Sequence, residues 1–132
     1  MKRCVACSAN FEAGDWRCVQ CGHEPVQDGG FSLFSPELAK EGAGFDSALF
    51  PRLADLEARN FWFRARNRII VSTLRRLRPA CSRYLEIGCG TGFVLSGIAK
   101  AFPGARMTAS DAFVDGLGFA ARRVPRAELL QM

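Results

Sequence analysis

Four of the six cysteines occur as two Cys-x2-Cys pairs close to the N-terminus. Cys4 and Cys7 form the first pair, and Cys18 and Cys21 form the second, with ten residues between the pairs. A tetrahedral Zn²⁺ site needs four sulfur atoms about 2.3 Å from the metal, and each pair can supply two of them from one tight turn. Four cysteine ligands leave no open position for water, so we expect a structural zinc ribbon rather than a catalytic metal site.

A disulfide framework or a redox dithiol is the alternative use of these cysteines. No apolar segment follows the two cations at the N-terminus, so a secretory signal and a disulfide framework are not expected. His23 is interpreted as a bystander, because the four thiolates already complete the site. The first 30 residues carry four acids and only three cations (Lys2, Arg3 and Arg17), so this unit is not expected to bind nucleic-acid phosphates.

A glycine-rich loop is the second feature that could do chemistry. Residues 84–87 predict a short strand, residues 93–102 predict a helix with one apolar face, and Gly88-Cys89-Gly90-Thr91-Gly92 lies between them. Glycines at such a turn permit positive φ and let a ligand approach the backbone. The spacing does not match the dinucleotide fingerprint, and no P-loop lysine follows. An acid, Asp111, ends the next predicted strand.

The stretch Leu85-Glu86-Ile87-Gly88-Cys89-Gly90-Thr91-Gly92 resembles motif I of the class I S-adenosylmethionine-dependent methyltransferases. The resemblance covers about residues 62 to 132. It implies that S-adenosylmethionine is the cofactor and that Asp111 accepts hydrogen bonds from its ribose hydroxyls. It further implies that the methionine moiety lies against a set of loop residues, namely Glu86, Gly88, Gly90 and Gly92, with Cys89 as a small buried member of the same loop rather than a nucleophile.

A second segment that resembles the family precedes the loop. Residues 60–67 look like a segment that lies ahead of motif I in many zinc-ribbon-bearing members, where it belongs to a helix over the cofactor. Arg66, or else Arg64, is the candidate cation for the cofactor carboxylate, and a solvated helix face is the alternative interpretation of both. The aromatic residues Phe61, Trp62 and Phe63 are interpreted as core rather than as a substrate platform.

The chain of 132 residues is 48% hydrophobic and 23% charged, which is typical of a folded globular domain. We expect an α/β fold: a partial Rossmann-like parallel sheet of about three strands with flanking helices, plus a small N-terminal zinc ribbon. The predicted division is a ribbon over 1–30, an aromatic and glycine-rich linker over 31–50, and a helical segment with the N-terminal half of a methyltransferase domain over 51–132. Asp46 or Ser47 is expected to cap one helix that runs to Arg78.

The family's sheet has seven strands, so the resemblance implies that the domain is truncated here. Either the chain is a fragment that lacks the C-terminal half, or the missing half comes from another chain. The third strand is then expected at an edge of the sheet, which predicts poor solubility or dimerisation. We therefore interpret the chain as a methyltransferase that transfers a methyl group to an unknown nucleophile and is incomplete as it stands. No catalytic base can be named, and the methyl acceptor is a small molecule or a macromolecule that these residues do not specify.

Two other functions compete with this interpretation. The first is a zinc-ribbon adaptor that binds RNA or a protein through an arginine-rich helix, since nine arginines lie between Arg52 and Arg83 against two acids. Nucleic acid is nevertheless not the favoured partner. The second is a different nucleotide-binding α/β protein such as an NADPH-dependent reductase. No apolar run approaches the ~20 residues that span a bilayer, and a cytoplasmic location is expected.

Overall fold

The computed structural model describes residues 1–40 and 46–132. Gly42, Gly44 and Phe45, which belong to the predicted linker, lie outside the described residues. In the N-terminal unit, strands β1 (Lys2–Arg3) and β2 (Asn10–Phe11) pair in antiparallel fashion. A small buried cluster of Cys4, Phe11 and Cys18 lies at its centre.

A β-hairpin follows the second cysteine pair. Strands β3 (Val26–Asp28) and β4 (Phe31–Leu33) are antiparallel, and Asp28 lies opposite Phe31. The two-residue turn is Gly29-Gly30, with φ of 56° and 86°. Positive φ at both turn residues is the geometry that matches the right-handed twist of a hairpin, and glycine adopts it without steric cost.

The main sheet contains five strands in the order β3-β4-β7-β6-β5. Strands β5 (Arg83–Ile87), β6 (Arg106–Asp111) and β7 (Glu128–Gln131) are parallel neighbours, and β4 runs parallel to β7. The predicted α/β class with three successive parallel strands is confirmed. The prediction that the third strand lies at an edge is wrong, because β4 of the hairpin forms hydrogen bonds with β7. Within the described residues, β3 and β5 are the edge strands of this sheet.

Helices are α1 (Pro36–Lys40), α2 (Phe50–Arg59), α3 (Phe61–Leu77), α4 (Phe93–Ala101) and α5 (Val114–Arg123), and a 3-10 turn spans Ser47–Leu49. The one helix expected up to Arg78 is therefore divided at Asn60, which is extended and whose side chain accepts a hydrogen bond from Trp62 N at 2.9 Å. That cap starts α3, and Pro79 follows its end. Asp46 caps the 3-10 turn by accepting a hydrogen bond from Ala48 N.

Three helices, α3, α4 and α5, cover one face of the sheet. Leu95, Ile98 and Leu117 are fully buried there against Met107 and Ala109 of β6. The structure corrects the prediction that the aromatic residues of α3 belong to the core. The first two, Phe61 and Trp62, are 79% and 53% exposed, and the Trp62 ring lies against Phe63 and Arg66 of the same helix.

The zinc ribbon lies over the opposite face of the sheet. Trp16 packs edge-on against Phe34, with ring centroids 4.8 Å apart, and Lys2 Nζ lies 3.9 Å from a carboxylate oxygen of Glu128. A cavity of about 590 Å³ remains between the ribbon and the strands. On the same face, towards β5, Leu85 and Ile87 are 60% and 80% exposed. Among the described helices, none has the length and apolar character needed to cross a membrane.

Candidate functional site

The four cysteines predicted as metal ligands lie together. The Sγ atoms of Cys4 and Cys21 are 3.7 Å apart, as are those of Cys7 and Cys18, and all four lie within 4.8 Å of one another. Four sulfurs at tetrahedral positions around Zn²⁺ are roughly 3.8 Å apart, given Zn–S bonds of about 2.3 Å. The cluster therefore fits a zinc ion, and His23 is not part of it.

The two cysteine turns have the same backbone conformation. Ser8 N donates to Cys4 O at 3.0 Å, and Gly22 N donates to Cys18 O at 2.9 Å. Ser8 and Gly22 follow the second cysteine of each pair and have φ of 62° and 72°. Each turn thus presents two sulfurs on one side, and the two turns face each other across the cluster.

Electrostatics of the cysteine cluster favour a bound cation. Backbone N–H groups, that of Cys21 first, lower the pKa of the Cys18 thiol to about 6. At Cys21 a backbone N–H of His23 also acts to lower the pKa, but the neighbouring sulfurs, Cys7 first among them, raise it to about 12. The turns stabilise thiolates individually, while four thiolates at this distance repel one another unless a positive ion lies between them.

The glycine loop lies at the carboxyl end of β5, between that strand and α4. Its three glycines, Gly88, Gly90 and Gly92, have φ of 72°, 51° and 72°. A Cβ atom at Gly88 would meet nothing within 4 Å, so open space lies in front of the loop at this point. Cys89 N donates to Ser110 O of β6 at 2.9 Å, which ties the loop to the neighbouring strand.

Asp111 ends β6 beside this loop, as predicted. One carboxylate oxygen accepts a hydrogen bond from Gly90 N at 2.7 Å, and the other accepts one from Phe113 N at 3.0 Å. The residue is 8% exposed. The carboxylate therefore joins the ends of two adjacent parallel strands, and each of its oxygens keeps a further acceptor site for a ligand.

Glu86 of β5 is the second acid near the loop. Burial raises its pKa to about 7, against a smaller lowering by the hydroxyl of Tyr84, which donates to its carboxylate at 3.2 Å, and by the charge of Arg66. The guanidinium of Arg66 lies 5.6 Å from the centre of the Trp62 ring. The charge of Arg66 thus acts on Glu86, the residue two positions before Gly88 of the loop.

Cys89, the other predicted member of the loop, is a buried thiol. Burial, together with the charges of Asp111 and Glu86, raises its pKa to about 12. A thiol of this kind stays protonated near neutral pH and is a poor nucleophile. The interpretation of Cys89 as a packing residue agrees with this environment.

A buried polar network around Thr91 was not anticipated from the sequence. The carboxylate of Glu57, on α2, accepts hydrogen bonds from the Thr91 hydroxyl and from Arg123 Nη1, the latter at 2.6 Å. Arg123, at the end of α5, also donates to Thr91 O and to Ala54 O. Glu57 is 6% exposed, so it is a buried charge paired with a cation. Helices α2 and α5 thereby fix the position of the glycine loop through Thr91.

Comparisons with known proteins agree with this geometry. No family model matches the chain, and no curated protein matches it. Among solved structures, the chain is 30% identical to DesVI of Streptomyces venezuelae, an S-adenosylmethionine-dependent methyltransferase, over 67% of this chain and 36% of DesVI, with a TM-score of 0.50. The predicted resemblance to these methyltransferases is confirmed.

Two further methyltransferase structures are similar at lower identity. CalS10 of Micromonospora echinaspora, an amino pentose methyltransferase solved with S-adenosylmethionine, is 24% identical over 83% of this chain and 37% of CalS10, with a TM-score of 0.43. A putative O-methyltransferase of Klebsiella pneumoniae is 19% identical over 72% of this chain and 47% of its own, with a TM-score of 0.48. This chain spans only about a third to a half of the length of these structures.

Proposed function

We propose that this chain forms the S-adenosylmethionine-binding part of a methyltransferase. The observation that carries the proposal is the hydrogen bond from Gly90 N to Asp111. It brings a glycine loop and an acid together at the carboxyl ends of adjacent parallel strands, where open α/β sheets bind their ligands.

The residues present fit such a cofactor. Asp111 keeps one free acceptor position on each oxygen, which suits the two hydroxyls of a ribose. The open space before Gly88 gives the methionine moiety room to lie against the backbone. Arg66 can pair with the cofactor carboxylate, while Glu86 can accept from its ammonium group.

When bound, the cofactor supplies an electrophilic methyl group on a sulfonium sulfur. The part played by this chain is to hold and orient that group, because methyl transfer depends chiefly on alignment of the two reactants. Zinc on Cys4, Cys7, Cys18 and Cys21 would be structural, since four thiolates leave no open coordination position. None of the residues identified in this chain serves as the base that deprotonates the methyl acceptor.

Calorimetric titration of S-adenosylhomocysteine into the zinc-loaded chain tests the proposal. We expect specific binding, and we expect Asp111→Asn to weaken it by about 1–3 kcal/mol through loss of a charged acceptor. Asp115→Asn is the matched control, because Asp115 is an exposed acid in the first turn of α5. Equal affinity of Asp111→Asn and the unmodified chain would contradict the placement of the ribose.

NADPH is the control ligand in the same titration. Tighter binding of NADPH than of S-adenosylhomocysteine would contradict the methyltransferase proposal and support a reductase instead. A cytoplasmic location is part of the proposal, because free thiolates and S-adenosylmethionine coexist in a reducing compartment.

A further inference from the structure

The surface formed by α3 and α4 carries cations without any carboxylate. No Asp or Glu occurs between residues 58 and 85 or between residues 87 and 110. Helix α3 alone contains five arginines, and Lys100 adds a sixth cation in the last turn of α4. This concentration of charge is a local property, since the whole chain carries a net charge of only +5.

A groove of about 650 Å³ lies between these helices. Four cations line it, Arg64, Arg68, Arg75 and Lys100, and all four are exposed. Within the described residues, no acid lies within 4 Å of any of them. Unpaired cations in a concave surface focus positive potential and attract a polyanion.

The spacing of the arginines follows one stripe of α3. Arg64, Arg68 and Arg75 are separated by four and seven residues, which keeps them on one helix face over about 16 Å at the helical rise of 1.5 Å per residue. A single phosphate or carboxylate is much shorter than this stripe. An extended polymer with regularly repeated negative charges fits it better.

The guanidinium group binds phosphate or carboxylate oxygens through two parallel hydrogen bonds, so the three arginines on the stripe suit a polyanion of either kind. The neighbouring aromatic residue favours a nucleic acid over an acidic protein. Phe61 lies on the same stripe, three residues before Arg64, and the residue is 79% exposed, so its ring can stack on an unpaired base. We propose that this groove binds single-stranded RNA through its phosphate backbone.

The floor of the groove is fixed before any ligand binds. Asn67 Nδ2 of α3 donates to Phe93 O of α4 at 3.0 Å. A Cβ atom at Gly97 would collide with the Asn67 side chain, so the helices approach as closely as glycine permits. The cations are thus held on a rigid pair of helices, which reduces the ordering needed on binding.

Fluorescence anisotropy with a labelled, unstructured 12-nucleotide RNA tests the proposal on the zinc-loaded full chain. Four phosphate contacts predict a slope of log Kd against log salt of about 2.8, at about 0.7 for each contact with a single strand. The variant R68Q/R75Q/K100Q should lower that slope by about 2 and weaken binding at low salt by about tenfold or more. The control variant R52Q/R76Q/R78Q removes the same charge at exposed positions outside the groove. It should change the slope less than R68Q/R75Q/K100Q does.

Equal loss of slope in the two variants would overturn the proposal, because binding would then follow net charge alone. If polyglutamate binds with the same salt dependence as RNA, the ligand of the groove would be an acidic protein rather than RNA. Titration of S-adenosylhomocysteine into each variant is a separate measurement of the cofactor site. The RNA proposal does not rest on methyl transfer, so failure of one proposal leaves the other intact.

Discussion

Gly92 ends the glycine loop and precedes α4, where its φ is 72°. A Cβ atom at this position would lie 2.8 Å from both Cα and Cβ of Ala120 on α5. The absence of a side chain therefore has two roles here, since it permits the backbone conformation and allows α5 to pack directly against the loop. A substitution affects both the fold and the position of the loop.

We expect Gly92→Ala to lower the free energy of unfolding by more than about 1 kcal/mol, because its Cβ meets backbone that cannot easily move. Gly118→Ala is the matched control within α5. A Cβ at Gly118 meets nothing within 4 Å, so this change should stabilise the helix by about 0.5–1 kcal/mol. Urea denaturation of both variants measures the difference, and similar effects from the two would refute the close contact at Ala120.

Glu86 makes stability depend on pH. Its pKa is about 7 in the folded protein, raised from 4.5 chiefly by burial. The folded state therefore binds more protons than the unfolded state between these values, and stability falls as the pH rises through about 7. Below the unfolded pKa, the contribution of Glu86 is fully present, because the buried carboxyl is neutral.

We expect Glu86→Gln to remove this dependence, because the amide has no charged form. Relative to the unmodified chain, the variant should gain up to about 2 kcal/mol of unfolding free energy between pH 5 and pH 8. Chemical denaturation at both pH values provides the measurement. Glu24→Gln, an exposed acid of the ribbon, is the control that should not show the gain. A constant difference between Glu86→Gln and the unmodified chain at both pH values would contradict the raised pKa.

At the scale of elements, the Glu57–Arg123 ion pair joins α2 to α5 and holds Thr91 of the loop between them. Arg123→Met should destabilise the protein by about 3–5 kcal/mol, because the Glu57 carboxylate is left buried without its partner. The double variant Glu57→Gln with Arg123→Met should recover part of that loss. Denaturant unfolding checks both expectations. Arg122→Met, on the adjacent exposed residue, should have little effect.

Thr91 also allows a test of positioning as distinct from stability. Thr91→Ser keeps the hydroxyl that donates to Glu57, whereas Thr91→Val keeps the shape and loses the hydrogen bond. If the network positions the loop, Thr91→Val should weaken binding of S-adenosylhomocysteine and Thr91→Ser should retain most of it. Equal binding by both variants at temperatures where they are folded would limit the network to a structural role.

The parallel strands and the glycine loop could be predicted from sequence because each is a local pattern. A short apolar strand, three closely spaced glycines and a helix with one apolar face lie within about twenty residues. The hairpin of β3 and β4 was missed, although Gly29-Gly30 is a hairpin signal. Its strands have only three residues each, and their pairing with β7 depends on contacts with the other end of the chain.

Other errors arose from tertiary placement. The residue types of Phe61 and Trp62 predict core positions, yet both side chains are exposed in the first turn of α3. Glu57 lies in an arginine-rich stretch, and its burial cannot be inferred from that stretch because it depends on the approach of α5. No local pattern distinguishes a buried carboxylate from an exposed one when its partner lies 66 residues away.

At the scale of the whole molecule, the zinc ribbon and the sheet meet through Trp16–Phe34 and Lys2–Glu128. Cys18→Ser should abolish stoichiometric zinc binding and unfold the ribbon, because a structural zinc site supplies much of the folding free energy of such a unit. Metal analysis measures the zinc, and hydrogen exchange measures the unfolding. Cys81→Ser is the control, since Cys81 lies outside the four-cysteine cluster. Full zinc binding by Cys18→Ser would contradict the assignment of the ligands.

Strand β4 is synthesised long before its partner β7. Two hydrogen bonds join the Ser35 backbone to the Gln131 side chain, 96 positions apart: Ser35 N donates to Gln131 Oε1, and Gln131 Nε2 donates to Ser35 O. Folding of a sheet with such distant partners is slowed by the entropy of closing the intervening chain. During synthesis, the ribbon can bind zinc and form the hairpin long before β7 leaves the ribosome. Strand β7 can then insert between β4 and β6, next to a hairpin that has already formed.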